Sequence, residues 1–146
     1  MKFWILSLFI SFQLFSQTRE ECIEITENYG LNYTKPEFSN DYVEKVLNPT
    51  LTKIQNIVCE KKDSELLEKF LEMIMKSSGS ANEYPADILG NIFICNQEIV
   101  ENQLKGKYKN KLIFDYLELG FLNITMHWPF DDKHAQLQKR MYQLIK

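Results

Sequence analysis

The stretch EYPADILGNIFICNQEIVENQL, residues 83–104, decides the architecture. Ile88, Leu89, Ile92 and Phe93 recur at the spacing of one helical face, and Ile99, Val100 and Leu104 form a second such face. Asn96 stands between the two runs, where one helix can end and the next be capped. Pro85 suits the first helical turn, and Gly106 suits a helix stop. The stretch therefore predicts a helical hairpin, entered at Pro85, turned at Asn96 and left at Gly106.

Neighbouring segments carry the same period. Residues 64–76 place Leu66, Leu67, Phe70, Leu71, Met73 and Ile74 on a broad apolar stripe, the strongest helix signal in the chain. Residues 39–59 read as two short helices. The first holds Val43, Val46 and Leu47; the second holds Leu51, Ile54, Ile57 and Val58. The break falls at Asn48-Pro49, with Asn48 as cap and Pro49 in the first turn, because an interior proline lacks a donor and clashes with the preceding turn. Lys61-Lys62-Asp63 reads as a turn, with Asp63 or Ser64 opening the next helix. Residues 77–82 are the clearest loop, and Ser80 with Glu83 has the spacing of a capping box.

Residues 107–121 predict a helix containing Tyr108, Leu112, Ile113, Tyr116, Leu117 and Phe121, with its lysines gathered at the amino end. Residues 123–132 read as a non-helical crossing, and Asp131 or Asp132 then caps a last helix over 134–145. Residues 17–38 read as an amino-terminal arm, with Cys22, Ile23 and Ile25 in a short helix or an extended segment. No alternating strand pattern is present. The expected fold is all-α, a compact array of short helical hairpins over residues 39–146.

The sequence begins differently. Lys2 is followed by FWILSLFISFQL over residues 3–14, then Phe-Ser-Gln and the polar TREE. A basic start, a short apolar run and a polar exit predict a secretory signal peptide over residues 1–16. The run is shorter than the about 20 apolar residues that span a bilayer, so no stable membrane span is expected once the leader is cleaved. Its Phe-Ser-Gln ending resembles secretory leaders of the Bacteroidetes type, which implies the periplasm or the exterior. The two-helix units headed by Pro49 and Pro85 resemble HEAT-type helical repeats over residues 40–121, which implies either a HEAT-like array or an irregular bundle.

Three cysteines, Cys22, Cys59 and Cys95, are compatible with one disulfide in an exported chain. Cys59 and Cys95 each end an apolar helical run and can face each other across a helix pair. Alternatively both are small buried hydrophobes, or Cys22 pairs with either. No CxxC occurs, so neither a redox motif nor a zinc knuckle is supported.

Seventeen basic against twenty acidic residues leave a formal charge of −3, which supplies no basic field to wrap a nucleic acid. The two histidines, His127 and His134, form no HExxH, and there is neither a GxSxG elbow nor a glycine-rich phosphate loop. Other chemical candidates are a Cys95–His127 pair and the carboxylates Glu83 and Asp87, four residues apart. None assembles a catalytic, cofactor or metal set from sequence alone. Fourteen of nineteen aromatics lie beyond residue 16. Tyr84, Trp128 and Phe130 are candidate partner contacts, as are Lys107, Lys109 and Lys111.

These features point to an exported, non-catalytic domain that binds another protein, as an inhibitor or immunity protein of an envelope-acting toxin or hydrolase does. The rival readings are a small envelope hydrolase using carboxylates or His127, and a structural component of an envelope complex.

Overall fold

The computed structural model describes residues 17–145, and the expected leader lies outside them. Within the described residues the fold is all-α, and no strand occurs. Helix α1 spans Arg19–Asn32. Thr18 starts it with a complete capping box: the Glu21 N–H donates to Thr18 Oγ1 at 3.2 Å, and the Thr18 N–H donates to Glu21 Oε2 at 2.7 Å. The segment read as an arm thus contains a helix, whose Cys22, Thr26, Tyr29 and Gly30 are buried. Lys69 of α4 (Ser64–Lys76) reaches Glu27 of α1 at 2.7 Å, and these two helices pack along their length.

A 3-10 turn, Pro36–Phe38, leads into α2 (Asn40–Tyr42), a π-helical segment (Val43–Leu47) and α3 (Asn48–Lys61) without interruption. The expected break at Asn48-Pro49 is absent. Asn48 is helical, at φ −60° and ψ −43°, and caps nothing; its N–H donates to the Val43 carbonyl, five residues back. The wide turn takes up one extra residue just before Pro49, where the proline ring would otherwise strike the preceding turn. The rod ends at Lys62, which adopts the left-handed conformation at φ 54° and donates to the Val58 carbonyl. Asp63 then caps α4 by accepting from the Leu66 N–H at 3.0 Å.

Helices α5 (Tyr84–Cys95) and α6 (Gln97–Lys105) turn at Asn96 as the sequence predicts. The Ser80–Glu83 capping box does not form. Instead Asn82 Oδ1 accepts from the Tyr84 N–H at 3.1 Å, and Ser80 turns to the Asn82 N–H and the Tyr29 hydroxyl. Helix α7 (Lys111–Thr125) starts later and ends later than expected. Asn110 caps it, donating no proton but accepting from the Leu112 N–H at 2.8 Å, and the helix continues through Ile124 and Thr125, the residues read as a crossing. Helix α8 (Asp132–Ile145) follows, its His134 N–H donating to Asp131 Oδ1 at 2.9 Å.

The most extensive packing is between α5 and α7, with α3 on the other side of α5. Small residues permit it. A Cβ at Gly120 would lie 1.7 Å from the Ala86 carbonyl oxygen, and one at Gly90 would lie 2.5 Å from the Gly120 carbonyl carbon. Two backbones therefore touch where most helix pairs are held apart by side chains. Around this crossing Phe93 and Phe121 meet edge-to-face at 6.2 Å, and Leu89, Ile92, Leu117 and Ile113 complete the core.

Candidate functional site

The π segment leaves a groove beside it. The groove has a volume of about 570 Å³ and lies between the carboxyl end of α1, the 3-10 turn, residues 40–48 and the loop 79–82. That volume falls within the range of about 300–1,000 Å³ typical of ligand sites. Tyr33 and Phe38 are half-buried on its wall, while Tyr29 is buried beneath them. The rings hold one another edge-on or tilted, Tyr29–Phe38 at 6.0 Å and Tyr29–Tyr33 at 6.2 Å. Phe38 in turn meets Tyr42 edge-on at 4.8 Å, and burial raises the Tyr42 phenol above its ordinary value.

The polar side of the groove is equally ordered. Asn82 Nδ2 donates to Asn48 Oδ1 at 3.1 Å, and Tyr29 shares a 2.8 Å hydrogen bond with Ser80. Gly79 lets the loop close: a Cβ there would stand 2.6 Å from the Tyr33 hydroxyl. π-Helical turns and loops recur at functional sites because both point backbone and side chains away from regular packing. No sequence motif marked this groove; the apolar period of residues 39–59 reads as helix whether one turn is wide or not.

The partner residues named from sequence are dispersed. Tyr84 is half-buried and shares a 2.8 Å hydrogen bond with Thr52 across the α3–α5 contact. Lys107 does not lie at a helix start; it sits in the turn before α7 and pairs with Glu68 and, at 3.2 Å, with Glu72. These carboxylates also accept from the Tyr108 hydroxyl, at 3.3 and 3.2 Å. Hydrogen bonding to Glu68 raises the Lys107 ammonium well above its usual range, and burial pushes the Tyr108 phenol up to about 12. Lys111 pairs with Asp115 one turn on at 2.7 Å. Lys109 is exposed and, among the described residues, forms no ion pair. Trp128 packs half-buried on the core, whereas Phe130 is 74% exposed.

Phe130 belongs to a larger feature. Leu119, Leu122 and Met126 lie at positions sharing one face of α7, and all three are exposed, Met126 by 69%. The opposite face already supplies Ile113, Phe114, Leu117 and Phe121 to the core. Phe130, likewise exposed, follows α7 in sequence, and its ring lies 5.1 Å from His134. His134 is buried among Phe121, Trp128 and Phe130, and its Nδ1 has no hydrogen-bond partner.

The other chemical candidates do not converge. Cys59, in the last turn of α3, and Cys95, at the end of α5, are placed as a disulfide pair, which leaves Cys95 no free thiol for His127. Cys22 is free and buried, and desolvation raises its thiol pKa. Asp87 accepts from Asn123 Nδ2 at 3.0 Å, a bond between α5 and α7. Among the described residues, no group of three or more His, Cys, Asp or Glu side chains is placed to hold a metal ion, and no helix is long and apolar enough to cross a membrane. Comparison with family models, curated proteins and solved structures finds no match for this chain.

Proposed function

We propose that this chain is a non-catalytic protein-binding domain that acts in the periplasm or outside the cell, as an inhibitor or immunity protein of an envelope toxin or hydrolase. The observation that carries the binding role is the exposed apolar end of α7, beyond its exposed Lys111–Asp115 pair. A helix with one core-facing stripe ordinarily presents polar residues to water. Here Leu119, Leu122 and Met126 face outward, and Phe130, four residues on, is exposed as well. An exposed apolar ridge of this kind suits a macromolecular contact centred on large side chains.

Charge narrows the partner. Asp131 and Asp132 are exposed immediately after Phe130, and the chain is acidic overall. A protein offering an apolar cleft with a basic rim complements both the ridge and its charged end. A blocked hydrolase cleft is one such surface, and the leader-like residues 1–16 support export to where such enzymes act.

The test places a photo-crosslinking residue at position 126 or 130 in the native host, identifies the captured protein, and measures its affinity with both partners purified. Met126→Asp and Phe130→Asp should each weaken that affinity at least about tenfold, or 1.4 kcal/mol. Lys35→Ala, in the turn after α1, should leave it unchanged. Equal affinity of the aspartate variants would overturn the assignment. So would release of fragments from isolated envelope by the purified protein alone, which is the behaviour of a hydrolase.

A further inference from the structure

We infer that the groove beside the π segment is a second binding site, separate from the α7 ridge, and that it takes a neutral saccharide. Its lining selects the ligand class. Eight of the twelve lining residues carry a hydroxyl, amide or carboxylate: three asparagines, two tyrosines, Thr34, Ser80 and Glu44. No lysine or arginine lines it, so a phosphate or sulfate has no counter-charge, and Glu44 repels it. One carboxylate among amides is too little for a metal ion. A wholly apolar ligand would leave the amides buried without partners.

A sugar satisfies both sides at once. Each ring offers several hydroxyls that donate and accept, and amide side chains do the same in return. Among the described residues, the Tyr33 and Thr34 hydroxyls, the Asn40 amide and the Asn48 Nδ2 donors have no protein partner, so these groups are available to a ligand. The apolar faces of a sugar ring need aromatic surface, and Tyr33 and Phe38 are the half-exposed rings of the wall. Their orientation is set before any ligand arrives, by edge-on contact with Tyr29 and Tyr42. The Asn48–Asn82 hydrogen bond likewise fixes which amide atoms remain free. Pre-set donors and rings reduce the entropy lost on binding.

The decisive measurement is an amide NMR titration of the 15N-labelled protein with neutral trisaccharides of glucose, mannose, galactose and N-acetylglucosamine. At least one should shift the side-chain amides of Asn40, Asn48 and Asn82 with a Kd at or below about 1 mM. Tyr33→Leu and Asn40→Ala should weaken that binding about tenfold, each removing a single contact. Gly79→Ala, which displaces the Tyr33 hydroxyl from an exposed loop, should weaken it without lowering the unfolding midpoint. The inference fails if no trisaccharide shifts groove residues, if the shifts lie only elsewhere, or if triglycine shifts the groove and the sugars do not. It also fails if all three variants bind as well as the parent. Loss of the α7 ridge by Met126→Asp should not change sugar binding, so the two surfaces are tested independently.

Discussion

Gly120 carries a demand that no other glycine here matches. Its missing side chain is what allows the Ala86 carbonyl to sit against α7, and the obstructing atom is backbone, which does not swing aside. Gly120→Ala should cost about 3 kcal/mol or more, read as a lower urea midpoint. Gly106→Ala should cost clearly less than Gly120→Ala, since a Cβ there meets the Asn102 and Gln103 carbonyl oxygens at 3.3 and 3.8 Å. Asp63 is a second such residue, because it caps α4 and also receives Arg19 at 2.6 Å. The Arg19 hydrogen bond holds its carboxyl below the ordinary carboxylate range. A depressed folded pKa stabilises fully above the unfolded value of about 3.9 and loses that stability as pH falls through the folded value. Unfolding free energy should therefore decline from about pH 4 downward, and Asp63→Asn, which keeps a capping oxygen, should flatten this acid limb. An unchanged acid limb in urea titrations at stepped pH would contradict the pairing.

At the scale of the element, the rod made by α2, the π segment and α3 shows how a local signal is overruled. A proline inside an ordinary helix costs about 3 kcal/mol relative to alanine. The wide turn before Pro49 has already absorbed that conflict. Reverting to a regular α-helix would rotate residues 40–47 by about 100° relative to α3, the turn of one residue. Leu47, fully buried, would leave the core. Pro49→Ala should accordingly gain less than about 1 kcal/mol in thermal unfolding, and a gain near 3 would show that the helix tolerates realignment. The capping box of α1 is a simpler case: Thr18→Ala should cost about 1 kcal/mol, because the Glu21 N–H loses its Oγ1 acceptor while the bond from the Thr18 N–H to Glu21 stays.

For the whole molecule, the tie between Cys59 and Cys95 joins α3 to α5 across a loop that includes all of α4. Closing a loop of 36 residues restricts the unfolded chain by about 4 kcal/mol in the chain-entropy treatment. Unfolding of the Cys59→Ser, Cys95→Ser double variant should shift by that order, and intact mass without reductant should show one disulfide. Cys22 should resist alkylation until the protein unfolds, since it lies wholly inside the α1 face of the core. The same interior explains which surfaces remain for partners: Lys107 is paired with α4 and Lys111 within α7, while Lys109, Leu119, Leu122, Met126 and Phe130 are left outside.

Helix identity over residues 64–76, 84–95 and 97–105 is readable from residue order, because a 3.6-residue apolar period is local and its caps lie within a turn of it. The Cys59–Cys95 pair was legible only as one of three alternatives, since both cysteines end apolar runs but residue order does not say that the two helices meet. Contacts between residues far apart in the chain left no such mark. Gly90 and Gly120 read as isolated glycines until two helices cross there; Lys107 reads as a free cation until Glu68 and Glu72 arrive from α4. The groove follows the same rule. Its wall is assembled from residues 29–48 and 79–82, and the wide turn that opens it ends at Leu47, which is buried in the core. Periodicity reports which face of each helix is apolar; only packing decides which helix meets that face, and which apolar side chains are left in water.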